Sequence, residues 1–123
     1  MNKKTVLLVE DNDDSREMMK FFLERRGFHV IEASDGEQGV LLSKSESPDL
    51  IFMDLSMPVI DGIEATKLIR SNKKTSNIPV VVMSGHCDQP DLMKRVLEAG
   101  AAACLNKPVD IPTIETLLKR LIY

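Results

Sequence analysis

The sequence is short of the residues that staple small folds, anchor chains in membranes or grip nucleic acid. Only two cysteines, Cys87 and Cys104, occur in 123 residues. That is too few, at too wide a spacing, for a disulfide scaffold or a cysteine-rich zinc site. No apolar run approaches the roughly 18 residues that cross a bilayer. Met1-Asn2-Lys3-Lys4 leads straight into a strand-like segment rather than the apolar core of a secretory signal. Positive charge is not in surplus either: 16 Lys and Arg stand against 19 Asp and Glu, for a formal −3. This disfavours a nucleic-acid binder working through a basic face, because phosphate contacts need clustered Lys and Arg. Internal repeats, low-complexity tracts and linkers are missing. The expectation is a cytoplasmic protein with no membrane segment and no direct nucleic-acid contact.

The remainder is the composition of an ordinary globule, 43% hydrophobic and 28% charged. The length suits one domain, since domains most often run about 100–150 residues. Five short apolar runs alternate with five helical stretches. The runs are Thr5–Val9 (TVLLV), His29–Ala33 (HVIEA), 50–53 (LIFM), 79–83 (PVVVM) and 102–105 (AACL). Three are nearly continuous in Val, Ile, Leu, Phe and Met, as strands covered on both faces of a parallel sheet read. The second is more mixed, as an edge strand would be.

Between the runs, Asp14 with Glu17, Ser34 with Glu37 and Asp61 with Glu64 have the spacing of a helix-capping pair. Gly27 and Gly100 suit left-handed helix stops, and Pro90 and Pro112 suit helix starts. Met18, Met19, Phe22 and Leu23 form an apolar stripe on the first helix, and Ile114, Leu117, Leu118 and Leu121 another on the fifth. Both stripes read as core. Strict strand–helix alternation implies right-handed crossovers and a doubly wound α/β fold. Five strands in this length fit a parallel sheet of flavodoxin-like order 2-1-3-4-5, with helices on both faces and a core of about residues 5–121.

In such sheets ligands bind beyond the carboxyl ends of the strands. Glu10-Asp11-Asn12-Asp13 follow the first strand, Asp54 the third, Ser84 the fourth, and Lys107-Pro108 the fifth. A lone Asp after a strand is an ordinary turn residue; acids, a hydroxyl and a Lys at four strand ends are not an ordinary set. Three carboxylates in one pocket repel each other unless a cation offsets them. The set fits a hard divalent ion such as Mg²⁺. Asp54 is then a natural nucleophile toward a phosphoryl group, with Ser84 donating to a phosphoryl oxygen and Lys107 neutralising charge.

The motifs VLLVEDN at 6–12, MDLSMPVIDG at 53–62, VVVMSG at 80–85, EAGA at 98–101 and NKP at 106–108 carry a resemblance that covers essentially the whole chain. So do the spacings of 43, 30 and 23 residues between Asp11, Asp54, Ser84 and Lys107. The sequence resembles a response-regulator receiver domain of two-component signalling, of the stand-alone, chemotaxis-regulator type. The resemblance implies Asp54 as phosphoacceptor. It also implies Mg²⁺ held by Asp11, Asp54 and the backbone carbonyl of Ser56, with Glu10 acting mainly through water. It makes Ser84 the switch hydroxyl and Lys107 the phosphate-contacting base, with a cis peptide before Pro108. The implied donor is a histidine kinase or phosphotransfer protein, docking mainly through the first helix. The implied output is binding to an unspecified downstream protein. Such a chain catalyses its own phosphorylation and slow dephosphorylation and is otherwise no enzyme.

Two departures stand out. The family commonly has Tyr or Phe three residues before the Lys, where this chain has Cys104. This implies altered coupling to the face built from the fourth helix, fifth strand and fifth helix. His86, two residues past Ser84, reads equally as a modulator of phosphoryl loss or as a solvated loop residue. Cys104 reads as a small buried hydrophobe, and Cys87 and Cys104 are expected to remain separate thiols. One alternative is a degenerate receiver acting as a phosphorylation-independent interaction module. Another is a haloacid-dehalogenase-type phosphatase built on Asp11-x-Asp13, which leaves Asp54 unexplained. A calcium loop beginning at Asp11 fails, because Arg16 and Phe22 stand where Gly and Glu are needed.

Overall fold

A computed structural model describes residues 3–57 and 60–122. Elements alternate as β1 (Thr5–Val9), α1 (Asp13–Arg25), β2 (His29–Ala33), α2 (Gly36–Glu46), β3 (Leu50–Asp54), α3 (Gly62–Ser71), β4 (Val80–Ser84), α4 (Pro90–Glu98), β5 (Ala103–Asn106) and α5 (Ile111–Leu121). The strands form one parallel sheet in the order β2-β1-β3-β4-β5. This is the doubly wound arrangement expected, with the mixed strand β2 at an edge.

Side chains alternate across a strand, so each central strand feeds two cores. Val6, Leu8, Phe52, Val81, Met83 and Leu105 pack with Met19 and Leu23 of α1 and Ile114, Leu117 and Leu118 of α5. Leu7, Val9, Ile51, Met53, Val80 and Val82 pack with Val40 of α2, Ile63 and Ile69 of α3 and Val96 of α4. Leu7, Leu8 and Phe52 are fully buried, each such side chain contributing about 2 kcal/mol. The first-helix stripe is narrower than expected: Met18 is 75% exposed, because the helix turns its 19/23 edge, not its 18 edge, to the sheet.

The third to fifth strands end one residue later than the apolar pattern suggests. Asp54, Ser84 and Asn106 are therefore the last strand residues. A polar side chain ends the apolar run but not the ladder. Two caps also move. Asn12, not Asp14, caps α1 by accepting from the Ser15 N–H at 2.9 Å. Asp35, not Ser34, caps α2 by accepting from the Gln38 N–H at 2.8 Å. Asp61 caps α3 as expected. Gly27 and Gly100 have the positive φ of left-handed stops, and the Lys107–Pro108 peptide is cis.

The larger correction concerns the cysteines. Cys87 and Cys104 form a disulfide, with Cα atoms 5.6 Å apart. Their sequence separation of 17 residues conceals that β4 and β5 are neighbours, so that the turn after β4 folds back over β5. Cys104 is accordingly a half-buried bridge residue, not a free buried hydrophobe.

Candidate functional site

The parallel order brings the carboxyl ends of β1, β3, β4 and β5 to one edge of the sheet, and the chain-distant polar residues meet there. Glu10, directly after β1, donates its N–H to the Ala33 carbonyl at 3.0 Å, which continues the β1–β2 ladder. Its carboxylate is thereby fixed beside Asp54, and both residues are only 3% exposed. Lys107 reaches across from the end of β5, its Nζ lying 2.9 Å from Glu10 Oε1 and 2.9 Å from Asp54 Oδ1. Glu10 Oε2 also accepts from the Asn12 N–H at 3.2 Å.

Burying two acids beside one ammonium sets their protonation. Desolvation, reinforced by the neighbouring Glu10 and only partly offset by Lys107, lifts the Asp54 carboxyl to about 6. Glu10 moves the other way. Burial opposes its charge, but hydrogen bonds from Lys107, Asp54 and the Asn12 N–H hold it below the usual carboxylate range. Partial burial likewise opposes the charge of Lys107, yet the two carboxylates keep its ammonium above the ordinary lysine value. One cation thus serves two acids, and the site is one positive charge short when both ionise.

Asp11 joins at the exposed rim. Glu10, Asp11 and Asp54 each offer a carboxylate oxygen within 4.8 Å of the others, the one such grouping among the described residues. Hard oxygen donors in that number suit a divalent cation such as Mg²⁺. Ser56 lies two residues past Asp54, exposed, in the loop toward α3. That loop is closed by Gly62, whose N–H donates to the Leu55 carbonyl at 2.9 Å. A Cβ at Gly62 would press on the Asp54 carbonyl and lie 2.9 Å from Leu55 Cα, so only glycine permits this approach. Pro58 and Val59 of the same motif lie outside the described residues.

Ser84 is the last residue of β4, the strand paired with β3. It is buried, its Oγ accepts from the His86 N–H at 3.1 Å, and its carbonyl accepts from the Lys107 N–H at 2.8 Å. His86 itself is exposed and joins the site only through that backbone contact. Asp13 does not join. It is the first residue of α1, and its exposed carboxylate pairs with Arg16 at 2.7 Å, outside the grouping of Glu10, Asp11 and Asp54.

Arg16 supports the site, although its sequence pattern does not mark it as a site residue. Its Nη1 donates to the Glu10 carbonyl at 2.7 Å, while its guanidinium also pairs with Asp13 and with Glu32 of β2. It braces the turn that carries Glu10 and Asp11. An Arg one turn into a helix is usually solvent-exposed, and nothing in its spacing marks it; only the β1–β2 adjacency puts Glu32 within reach.

A family model, the response regulator receiver domain, matches residues 6–119. The chain belongs to that family. Among curated proteins it is 30% identical over 115 residues to the polar-differentiation response regulator DivK of Brucella ovis, covering 93% of each chain. Among solved structures it is similar to the chemotaxis protein CheY4 of Vibrio cholerae, with a TM-score of 0.92 at 26% identity over 98% of this chain and 100% of that one. It is also similar to the receiver domain of the sensor histidine kinase PA1611 from Pseudomonas aeruginosa, with a TM-score of 0.90 at 30% identity over 98% of both chains. That structure has a magnesium ion coordinated in its active-site cleft. No helix among the described residues of the present chain is long and apolar enough to cross a membrane.

Proposed function

We propose that this chain is a phosphoacceptor switch, working as a single receiver domain whose acceptor is Asp54. The observation that carries the reading is the placement of one buried carboxylate, Asp54, 2.9 Å from the Lys107 ammonium and clustered with Glu10 and Asp11. Asp11, Asp54 and the Ser56 carbonyl would hold Mg²⁺, with Glu10 acting mainly through water, consistent with the ion in the similar receiver of Pseudomonas aeruginosa. When bound, the ion supplies positive charge to the phosphoryl oxygens.

The donor in this reading is a phosphohistidine of a histidine kinase or phosphotransfer protein. An Asp54 carboxylate oxygen attacks phosphorus, the P–N bond to the donor breaks, and its electron pair leaves with the imidazole. Lys107 then contacts a phosphoryl oxygen and Ser84 donates its hydroxyl to another. Later attack by water at phosphorus returns the Asp54 carboxylate and releases inorganic phosphate. The protein acts by binding a downstream partner, and turnover is incidental to the signal.

Acetyl phosphate with Mg²⁺ tests this without knowledge of the natural donor. The wild type gains the mass of one phosphoryl group and Asp54→Ala gains none. No gain in the wild type, with the fold intact, leaves an interaction module that works without phosphorylation.

A further inference from the structure

We infer that the Cys87–Cys104 disulfide is a thiol-exchange site whose redox state governs how readily the Ser84 end of β4 adjusts to a phosphoryl group on Asp54. The inference rests on the proposed role of Asp54 and Ser84.

Ser84 is followed by only Gly85 and His86 before Cys87. The contacts that hold this short segment run to β5, to the residue after it, within the turn, and to Gln89 at the start of α4. The disulfide joins Cys87 to Cys104 of β5. The Cys87 N–H donates to Asn106 Oδ1 at 3.1 Å. The Ser84 carbonyl accepts from the Lys107 N–H at 2.8 Å, and the Ser84 hydroxyl oxygen accepts from the His86 N–H at 3.1 Å. The hydrogen bonds can break and re-form as the segment moves; the covalent bond holds until it is reduced. Gly85 stands in open space, with no atom within 4 Å of where a Cβ would lie. The segment has room to move and is held by a tether. A shift of Ser84 toward a phosphoryl oxygen must therefore drag Cys87 against β5, and that resistance exists only while the disulfide is intact.

The two residues differ in exposure. Cys87 is 5% exposed, whereas Cys104 is half-buried on β5. In this proposal a dithiol reductant attacks at Cys104, the more exposed residue of the pair. Its thiolate attacks Cys104 Sγ to form a mixed disulfide, and Cys87 leaves as the thiolate and takes up a proton. The second thiol of the reductant then displaces Cys104, giving two protein thiols and one oxidised dithiol.

The test compares oxidised and dithiothreitol-reduced wild type with the double variant Cys87→Ser/Cys104→Ser. Calorimetric titration reads the affinity for beryllium fluoride in saturating Mg²⁺, a phosphoryl mimic. Alkylation should reach neither cysteine before reduction and both after. Reduction should tighten binding by about fivefold or more, the usual lower range of coupling between sites. The double variant should bind like the reduced protein in both conditions. Equal affinity in the oxidised and reduced wild type overturns the tether while leaving the Asp54 reading intact. Free alkylation without reductant overturns it as well. Failure to bind in either redox state removes the Asp54 reading, and the tether with it.

Discussion

Replacing Asp54 by Asn should make the metal-free protein more stable, although it removes the carboxylate proposed as the acceptor. Burial and Glu10 lift the Asp54 carboxyl from 3.8 to about 6, and each pH unit of such a displacement corresponds to about 1.4 kcal/mol. At pH 7, holding Asp54 ionised in the metal-free fold therefore costs about 3 kcal/mol relative to the unfolded chain. Asp54→Asn keeps the side-chain shape, cannot ionise, and leaves Lys107 its 2.9 Å partner Glu10. Urea melts in EDTA at pH 7 should place the variant about 2–3 kcal/mol above the wild type, or about 10 °C higher in Tm for a chain of this length. The pH dependence is fixed in sign. Because the folded value lies above the unfolded one, the native state holds the extra proton between about 4 and 6. Wild-type stability falls as pH rises through that window and this contribution is flat above it. The gap between variant and wild type should open from near zero at pH 4 to its full size at pH 7. Saturating Mg²⁺ should then narrow the gap by stabilising the wild type through binding. A variant no more stable than wild type in EDTA at pH 7, or a gap independent of pH, refutes the electrostatic picture of the site.

Three other substitutions or treatments follow from the same geometry. Lys107→Ala strips the shared cation from Glu10 and Asp54, and phosphorylation from acetyl phosphate should slow by about 10²-fold, the scale for losing one charge-stabilising donor, in an intact-mass time course. Gly62→Ala forces a Cβ onto the backbone of Asp54 and Leu55 and should cost about 2–3 kcal/mol in denaturant melts. It should also weaken Mg²⁺ binding, because the displaced backbone carries the site. Reducing the Cys87–Cys104 bond opens a loop spanning 17 residues, and thermal melts with and without reductant should differ by about 3 kcal/mol.

Much of the fold is legible in the sequence because its signals are local. Continuous apolar runs marked the strands of a sheet covered on both faces, and positive-φ glycines at 27 and 100 ended helices where the pattern stopped. Glu10, Asp11, Asp54, Ser84 and Lys107 were legible as a group because a parallel sheet collects strand ends at one edge, whatever their separation in sequence. What escaped depends on neighbours that sequence does not list. Arg16 matters through β2, which pairs with β1. The cysteine pairing depends on β5 lying beside β4 and on a turn that doubles back. Caps missed by one or two residues, at Asn12 and Asp35, reflect rival acceptors crowded into the same turns.

Whether Asp54 itself receives the phosphoryl group is read directly by chemical trapping. Protein treated with acetyl phosphate and Mg²⁺ is reduced with borohydride, which converts an aspartyl phosphate to homoserine, and the peptides are sequenced by mass spectrometry. Homoserine at position 54 and at no other acidic residue is the predicted result. Homoserine at Asp11, Asp13 or elsewhere with Asp54 unmodified would contradict it.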